Sequence, residues 1–270
     1  MAMENIDGMR RMSERMSAIL SMAAPPIGVR LISREHSEPA DAEMLGGHRY
    51  CQALMKARHG KNVLLKGDGL VCPAAAAAFG FKPLPDGLKS GKGLVGFGIV
   101  SDAAVGMRMF EGMSRMSSGS VSAIHLYPLN RAEFIPDVVV VEDEAEKLMW
   151  IALAYLHSKG GERVAGSTAV LQATCVDSTI IPFLEQRLNY GLGCYGCRDA
   201  TDLGASETVL GFPAKDMSKI MEHLEYLNQK AIPHSREKSA FAVLKRNTCP
   251  SQGGNPSRSD DCATLGDATA

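Results

Sequence analysis

Between Asp137 and Gly160 the chain reads DVVVVEDEAEKLMWIALAYLHSKG, a β-branched run that passes without a break into an apolar helical pattern closed by glycine. Four consecutive valines suit a strand buried on both faces, and such a strand feeding straight into a helix is half of a parallel βαβ unit. The stretch predicts an α/β protein, and the remaining chain keeps the alternation. IGVRLI (27–32) and NVLLK (62–66) read as strands on either side of a helix, HRYCQALMKARHG (48–60), which Gly60 ends after basic residues in its last turn. VCPAAAAAFG reads as a helix with Pro73 in its first position and Cys72 at its N-terminus. SAIHLYPL (122–129), RVAGSTAV (163–170) and SETVLGFP have strand composition, whereas Asp177–Asn189 and AKDMSKIMEHLEYLNQKA (214–231) have helical spacing. From Lys82 to Gly119 glycine and serine predict irregular structure around one amphipathic piece, AAVGMRMFEGM. The expected architecture is a single α/β domain over residues 25–245, its sheet mixed or mainly parallel and flanked by helices.

Ahead of that domain, Ile6, Met9, Met12, Met16 and Ile19 recur at helical spacing, with Arg10, Arg11, Glu14 and Arg15 on the other side. Residues 1–24 therefore read as an amphipathic N-terminal helix, stopped by Pro25-Pro26. Its Met stripe suits packing on its own domain, or docking of a protein partner or a second copy. Residues 246–270, NTCPSQGGNPSRSDDCATLGDATA with Arg246 ahead, have the composition of a disordered tail.

Lys plus Arg total 29 against 30 for Asp plus Glu, a formal net charge of −1. That balance offers no electrostatic footprint for nucleic acid or an anionic membrane surface. The apolar run near Met16–Ala24 is interrupted by serine and too short to span a membrane, and a signal peptide is the minor reading. A cytoplasmic protein is expected. In a reducing compartment, seven cysteines suit metal or thiol chemistry better than a disulfide framework.

Five of the seven form a pattern. Cys51 lies on a predicted helix, Cys72 opens another, Cys175 lies between a predicted strand and helix, and Cys194 and Cys197 share the loop GLGCYGC. In a parallel α/β sheet such positions gather at the carboxyl ends of strands, where ligands bind. Three chemistries fit the set. Zinc prefers two C-x-x-C pairs and finds one; a thioredoxin-like dithiol prefers its pair at the start of a helix after an early strand; an iron–sulfur cluster accepts scattered cysteines joined to one pair, and Cys72-Pro73 has the Cys-Pro step of ferredoxins. Inert buried thiols remain the plain alternative. Asp177, two residues after Cys175, and Arg198 with Asp199, directly after Cys197, are the polar candidates beside the set. Arg198 could bind a carboxylate or phosphate in bidentate fashion.

YCQALMKARHGKNVLL, GLVCPAAAAAFGF, PDVVVVEDEAEKLM, ATCVDSTIIPFL and GLGCYGCRDATDLGASETVLGFPAKDMSKIMEHLE, in that order, resemble the prokaryotic family called domain of unknown function 169, over residues 25–232. The resemblance implies a compact cytosolic α/β protein with cysteines at positions matching Cys51, Cys72 and Cys175, and a glycine-containing loop followed by Arg, here Gly196–Arg198. Cys194 and Cys197 are additional to that pattern. The family name carries no reaction.

Gly91, Gly93 and Gly96 make a formal G-x-G-x-x-G, but no strand precedes it; a loop or lid over the cysteine site fits better than a dinucleotide cradle. His48, three residues before Cys51, could serve as a proton donor or base. The leading expectation is a [4Fe–4S] cluster on Cys51, Cys72, Cys175 and Cys194 or Cys197, acting on a small anionic molecule held by Arg198 or transferring electrons. The alternative is a binding or assembly protein with structural zinc or reduced thiols.

Overall fold

The computed structural model describes residues 5–235. In chain order its elements are α1 (Ile6–Leu20), β1 (Ile27–Ile32), β2 (Glu43–Leu45), α2 (Tyr50–Arg58), β3 (Val63–Lys66) and α3 (Pro73–Ala78). Three short helices follow, α4 (Asp86–Lys89), α5 (Lys92–Gly96) and α6 (Ala103–Glu111), then β4 (Ala123–Pro128), β5 (Val138–Glu144) and α7 (Ala145–Ser158). A π-helical segment, Ala173–Ile180, runs into α8 (Ile181–Glu185), before β6 (Asn189–Gly191), α9 (Tyr195–Ala200), β7 (Glu207–Pro213) and α10 (Met217–Lys230). Two compact units are distinguished: residues 1–225 hold the whole sheet, and the described part of the second, from Tyr226, is the end of α10 and a turn at Ile232–His234. The tail expected over 246–270, with Cys249 and Cys262, lies outside the described residues.

Seven strands form one sheet in the order β2-β3-β4-β1-β5-β7-β6. The sheet is mixed, but β2–β3 is its one parallel pair among the described residues. β5 runs antiparallel to both neighbours, β1 and β7. The valine run thus marks a strand covered on both faces rather than a parallel one. Val138 and Val140 enter a core shared with α2, α3 and the π-helical segment, and the alternate residues Val139 and Val141 are equally buried on the opposite side, where α7 packs. A central antiparallel strand covered twice has the same sequence signature as a parallel one.

Residues 163–170 form no strand. Gly166, Ser167 and Thr168 give little β preference, and Asn189 takes the place of a ladder: its Oδ1 accepts from Ser167 N and its Nδ2 donates to Ser167 O, both at 2.8 Å. The same Nδ2 donates to Asp177 O at 2.8 Å, tying this loop to the π-helical segment. The helix expected over 177–189 is shorter and begins earlier, because Gln172 O accepts from both Val176 N and Asp177 N, at 2.8 and 3.1 Å, and so widens the first turn. The stretch expected to be irregular around one amphipathic piece, 82–119, holds that piece as α6 and adds two short helices, α4 and α5. At Gly91 (φ 75°) a side chain would meet Ala103 O at 1.9 Å, so α5 and α6 touch through backbone alone.

α1 spends its apolar stripe on its own unit. Met9 and Met16 are fully buried, Arg10 Nε donates to Ala132 O at 2.7 Å, and Asn5 caps the first turn through Gly8 N at 2.7 Å.

Every residue of the π-helical segment is buried, and it lies flat on β7 at Gly211. A Cβ there would stand 1.8 Å from Ser178 O. Gly211→Ala should therefore cost at least about 1–3 kcal/mol, the usual range for overpacking, read as a lower midpoint in urea unfolding. A stability loss comparable to that of Gly87→Ala, whose surroundings are open and whose φ is not positive, would contradict this packing.

Candidate functional site

The π-helical segment places Cys175 on the wall of a cavity, while three neighbours bring the other thiols to it. α2 is held by a buried hydrogen bond between Tyr50 OH and Thr179 Oγ1 (2.8 Å), which fixes Cys51 one residue further on. Pro73 starts α3 and leaves Cys72 as its N-cap. α9 supplies Cys194 as N-cap and Cys197 three residues in. All five cysteines line one cavity of about 420 Å³. The convergence expected from a parallel sheet is thus reached by another route, through helix starts and a π turn over an antiparallel sheet. All five are free thiols.

The Cys194–Cys197 turn is capped by its own sulfurs. Cys197 N donates to Cys194 Sγ at 3.2 Å and Cys194 N donates to Cys197 Sγ at 2.9 Å, the reciprocal pattern that Ser and Glu make at other helix starts. In its neutral form Cys197 S–H reaches Cys194 O at 3.1 Å. The hydrogen bond from the Cys194 side chain holds Cys197 below the ordinary thiol range against the opposing effect of burial, and pushes Cys194 above it. Burial raises Cys51 to about 12, and raises Cys175 as well. One thiol of the group is therefore poised to ionise first, and Cys197 packs beside Cys51, with Met55 and Leu203.

The other wall is apolar and comes from the glycine-rich stretch: Leu88, Leu94, Phe97, Ile99 and Phe110 line it, Leu94 and Phe97 lying in or next to the Gly91–Gly96 stretch from which a loop or lid is expected. Arg49, Asp199, Gln172 and Thr174 add polar side chains to the lining. Arg198 does not face the cavity. Its guanidinium donates to the carbonyls of Leu192 (2.5 Å), Gly204 (3.0 Å) and Glu207 (2.8 Å), bracing the loop between α9 and β7. Arg49, which the sequence did not single out, is the cation on the wall; it donates to Gly196 O at 2.8 Å and to Asp199 at 3.2 Å. Of the two arginines near the turn, Arg49 lines the cavity and Arg198 is turned onto backbone carbonyls. Asp177 lies in a neighbouring cavity with Thr168, whose hydroxyl it accepts; burial pushes its carboxyl up to about 6. His48 precedes α2, bonds to Gly46 O, and also stands outside the cysteine cavity.

Among the described residues, no three His, Cys, Asp or Glu side chains are grouped to hold one metal ion. The thiols ring a space instead.

Beneath α2, Arg58 links two strands. It pairs with Glu207 (Nη1 to Oε2, 3.1 Å) and stands 3.9 Å from Glu142, whose Oε2 has no hydrogen-bond partner among the described residues. Burial pushes Glu142 up to about 8, opposed by Arg58 and assisted by Cys197, Glu207 and Asp202. A folded value above the ordinary 4.5 means that this carboxyl favours folding below about pH 4.5 and that the contribution is lost as pH rises through about 8. Glu142→Gln should accordingly lose less stability than the wild type between about pH 5 and pH 9, in paired denaturant titrations. Parallel curves for the two proteins would contradict a neutral Glu142.

The profile of the family DUF169, described as an uncharacterised ArCR, matches residues 15–223. The uncharacterized protein MJ0308 of Methanocaldococcus jannaschii is 25% identical over 228 residues, covering 83% of this chain and 97% of that protein. No solved structure matches the chain. Among the described residues no helix is long and apolar enough to cross a membrane.

Proposed function

The chain belongs to the DUF169 family, and from the geometry of its cavity we propose that it binds an iron–sulfur cluster, a [4Fe–4S] centre, on Cys51, Cys72, Cys175 and Cys194 or Cys197. The observation that carries this reading is the convergence of five thiols from four separate segments on one cavity. Three features of the donor set support it: all five thiols are free, Cys197 is held below the ordinary thiol range by its hydrogen bonds with Cys194 although Cys51, Cys175 and Cys194 are raised, and the amides of Cys194 and Cys197 donate to sulfur, as amides do around cluster thiolates. Bound there, a cluster would supply electron transfer or, with one iron lacking a protein sulfur, a Lewis acid toward a molecule entering from the lid side. The chain's own contribution is exclusion of water by the apolar wall and a fixed spacing of thiols by Tyr50–Thr179 and Pro73.

Protein purified without oxygen should be brown, with the broad visible absorption of sulfide-to-iron charge transfer and about four irons per chain. Cys72→Ser and Cys175→Ser should each bring iron below about one per chain, while Cys262→Ser leaves it unchanged. A colourless protein carrying stoichiometric zinc, or equal iron in all three variants, would refute the cluster.

A further inference from the structure

A second cavity, lined by none of the five cysteines, lies between α6, the 163–170 loop and the π-helical segment. Its volume of about 450 Å³ is in the range of small-molecule sites. Asp177, 2% exposed, is its buried charged residue. Oδ2 accepts from Thr168 Oγ1 on the covering loop, which holds the carboxylate on the cavity side, while Oδ1 has no partner among the described residues and is not sealed from solvent. A carboxylate taken so far out of water with one hydrogen bond leaves most of its acceptor sites unused, and a cation placed beside it restores what burial removed.

The rest of the lining selects the cation. Ser114, Ser167 and Thr168 add hydroxyls but no second negative charge, and a divalent ion needs more oxygen ligands and more charge than one carboxylate gives. Arg108, exposed on α6 and in no ion pair among the described residues, lines the same cavity; it repels a bare cation and attracts a carboxylate. Met113, Val176 and Ile181, all buried, give the site a hydrocarbon surface. A buried anion, an exposed cation and an apolar wall are complementary to a molecule carrying ammonium, carboxylate and hydrocarbon together.

We propose that this second cavity binds a small zwitterion, an amino acid with an apolar side chain, its ammonium on Asp177, its carboxylate on Arg108 and its hydrocarbon on Met113, Val176 and Ile181. The site goes beyond the cluster reading and does not depend on it, since the cysteines line the other cavity.

The test uses the full chain and saturation-transfer NMR, with L-leucine and its two truncations as probes: 3-methylbutylamine, which lacks the carboxylate, and 4-methylpentanoate, which lacks the ammonium. Leucine should bind most tightly and 4-methylpentanoate at least about tenfold more weakly, because it leaves the buried carboxylate without its cation. Asp177→Asn should weaken leucine by at least about tenfold, and Arg108→Gln should weaken it about three- to tenfold while bringing it level with 3-methylbutylamine. Arg108 is on the surface, so its variant decides the matter alone if Asp177→Asn fails to fold. Val71→Trp, at a 54% exposed position on the cysteine cavity, should leave leucine binding unchanged. No binding of leucine, 4-methylpentanoate binding as tightly as leucine, leucine affinity indifferent to Arg108→Gln, or its loss in Val71→Trp would each overturn the proposal. None of these readouts involves iron, so a colourless protein that binds leucine refutes the cluster alone, and a brown one that ignores leucine refutes this site alone.

Discussion

The close approach of Ser178 O to the bare α-carbon of Gly211 is the constraint on which the site depends. It lets an eight-residue π-helical segment lie in the core, directly on the sheet, with all of its side chains buried. From that position the segment sends Cys175 toward the cavity and offers Thr179 to Tyr50, so α2 and Cys51 are located by the same contact. A polar segment buried so deeply must find partners at once, and it does. Ser178 and Thr179 hydroxyls donate to Thr174 O at 2.7 and 3.0 Å, and Asn189 closes the carbonyl of Asp177. Gln172 Nε2, just ahead of it, and Thr174 Oγ1 within it are the exceptions.

Much of the frame was legible in the sequence because local signals and global packing agree there. Gly60, Pro73 and the stripe of α1 end, start and orient helices as their chemistry dictates, and IGVRLI, NVLLK and SETVLGFP become strands. Strand direction was not legible. A run such as VVVV reports only that both faces are covered, and an antiparallel centre with helices on each side covers them as well as a parallel one. The 163–170 stretch failed for a different reason: one asparagine side chain supplies the bonds that a ladder would have made, and no pattern of period two registers that.

For the site, position was easier to read than role. Cysteines at helix starts signalled themselves, and a glycine-rich stretch without strand or helix strength suggested a cover, which it is, although built from three short helices rather than a loop. The arginine was misassigned because sequence adjacency to Cys197 says nothing about where a long side chain turns. Arg198 folds back onto three carbonyls, whereas Arg49, 147 positions before the Gly196 carbonyl it meets, reaches the wall from the N-cap of α2. Gln172 carried no signal at all, since an unpaired donor exists only once every other partner has been placed.

The first turn of α9 is closed by sulfur rather than oxygen, and this couples chemistry to shape. Any event that withdraws electron density from Cys194 or Cys197, whether oxidation or alkylation, weakens the amide bonds that hold residues 194–200 wound. Asp199 and the Gly196 carbonyl sit in that turn and are what Arg49 grips. Unwinding it would release the arginine at the rim, so the redox history of two thiols is written into the electrostatics of the doorway they guard.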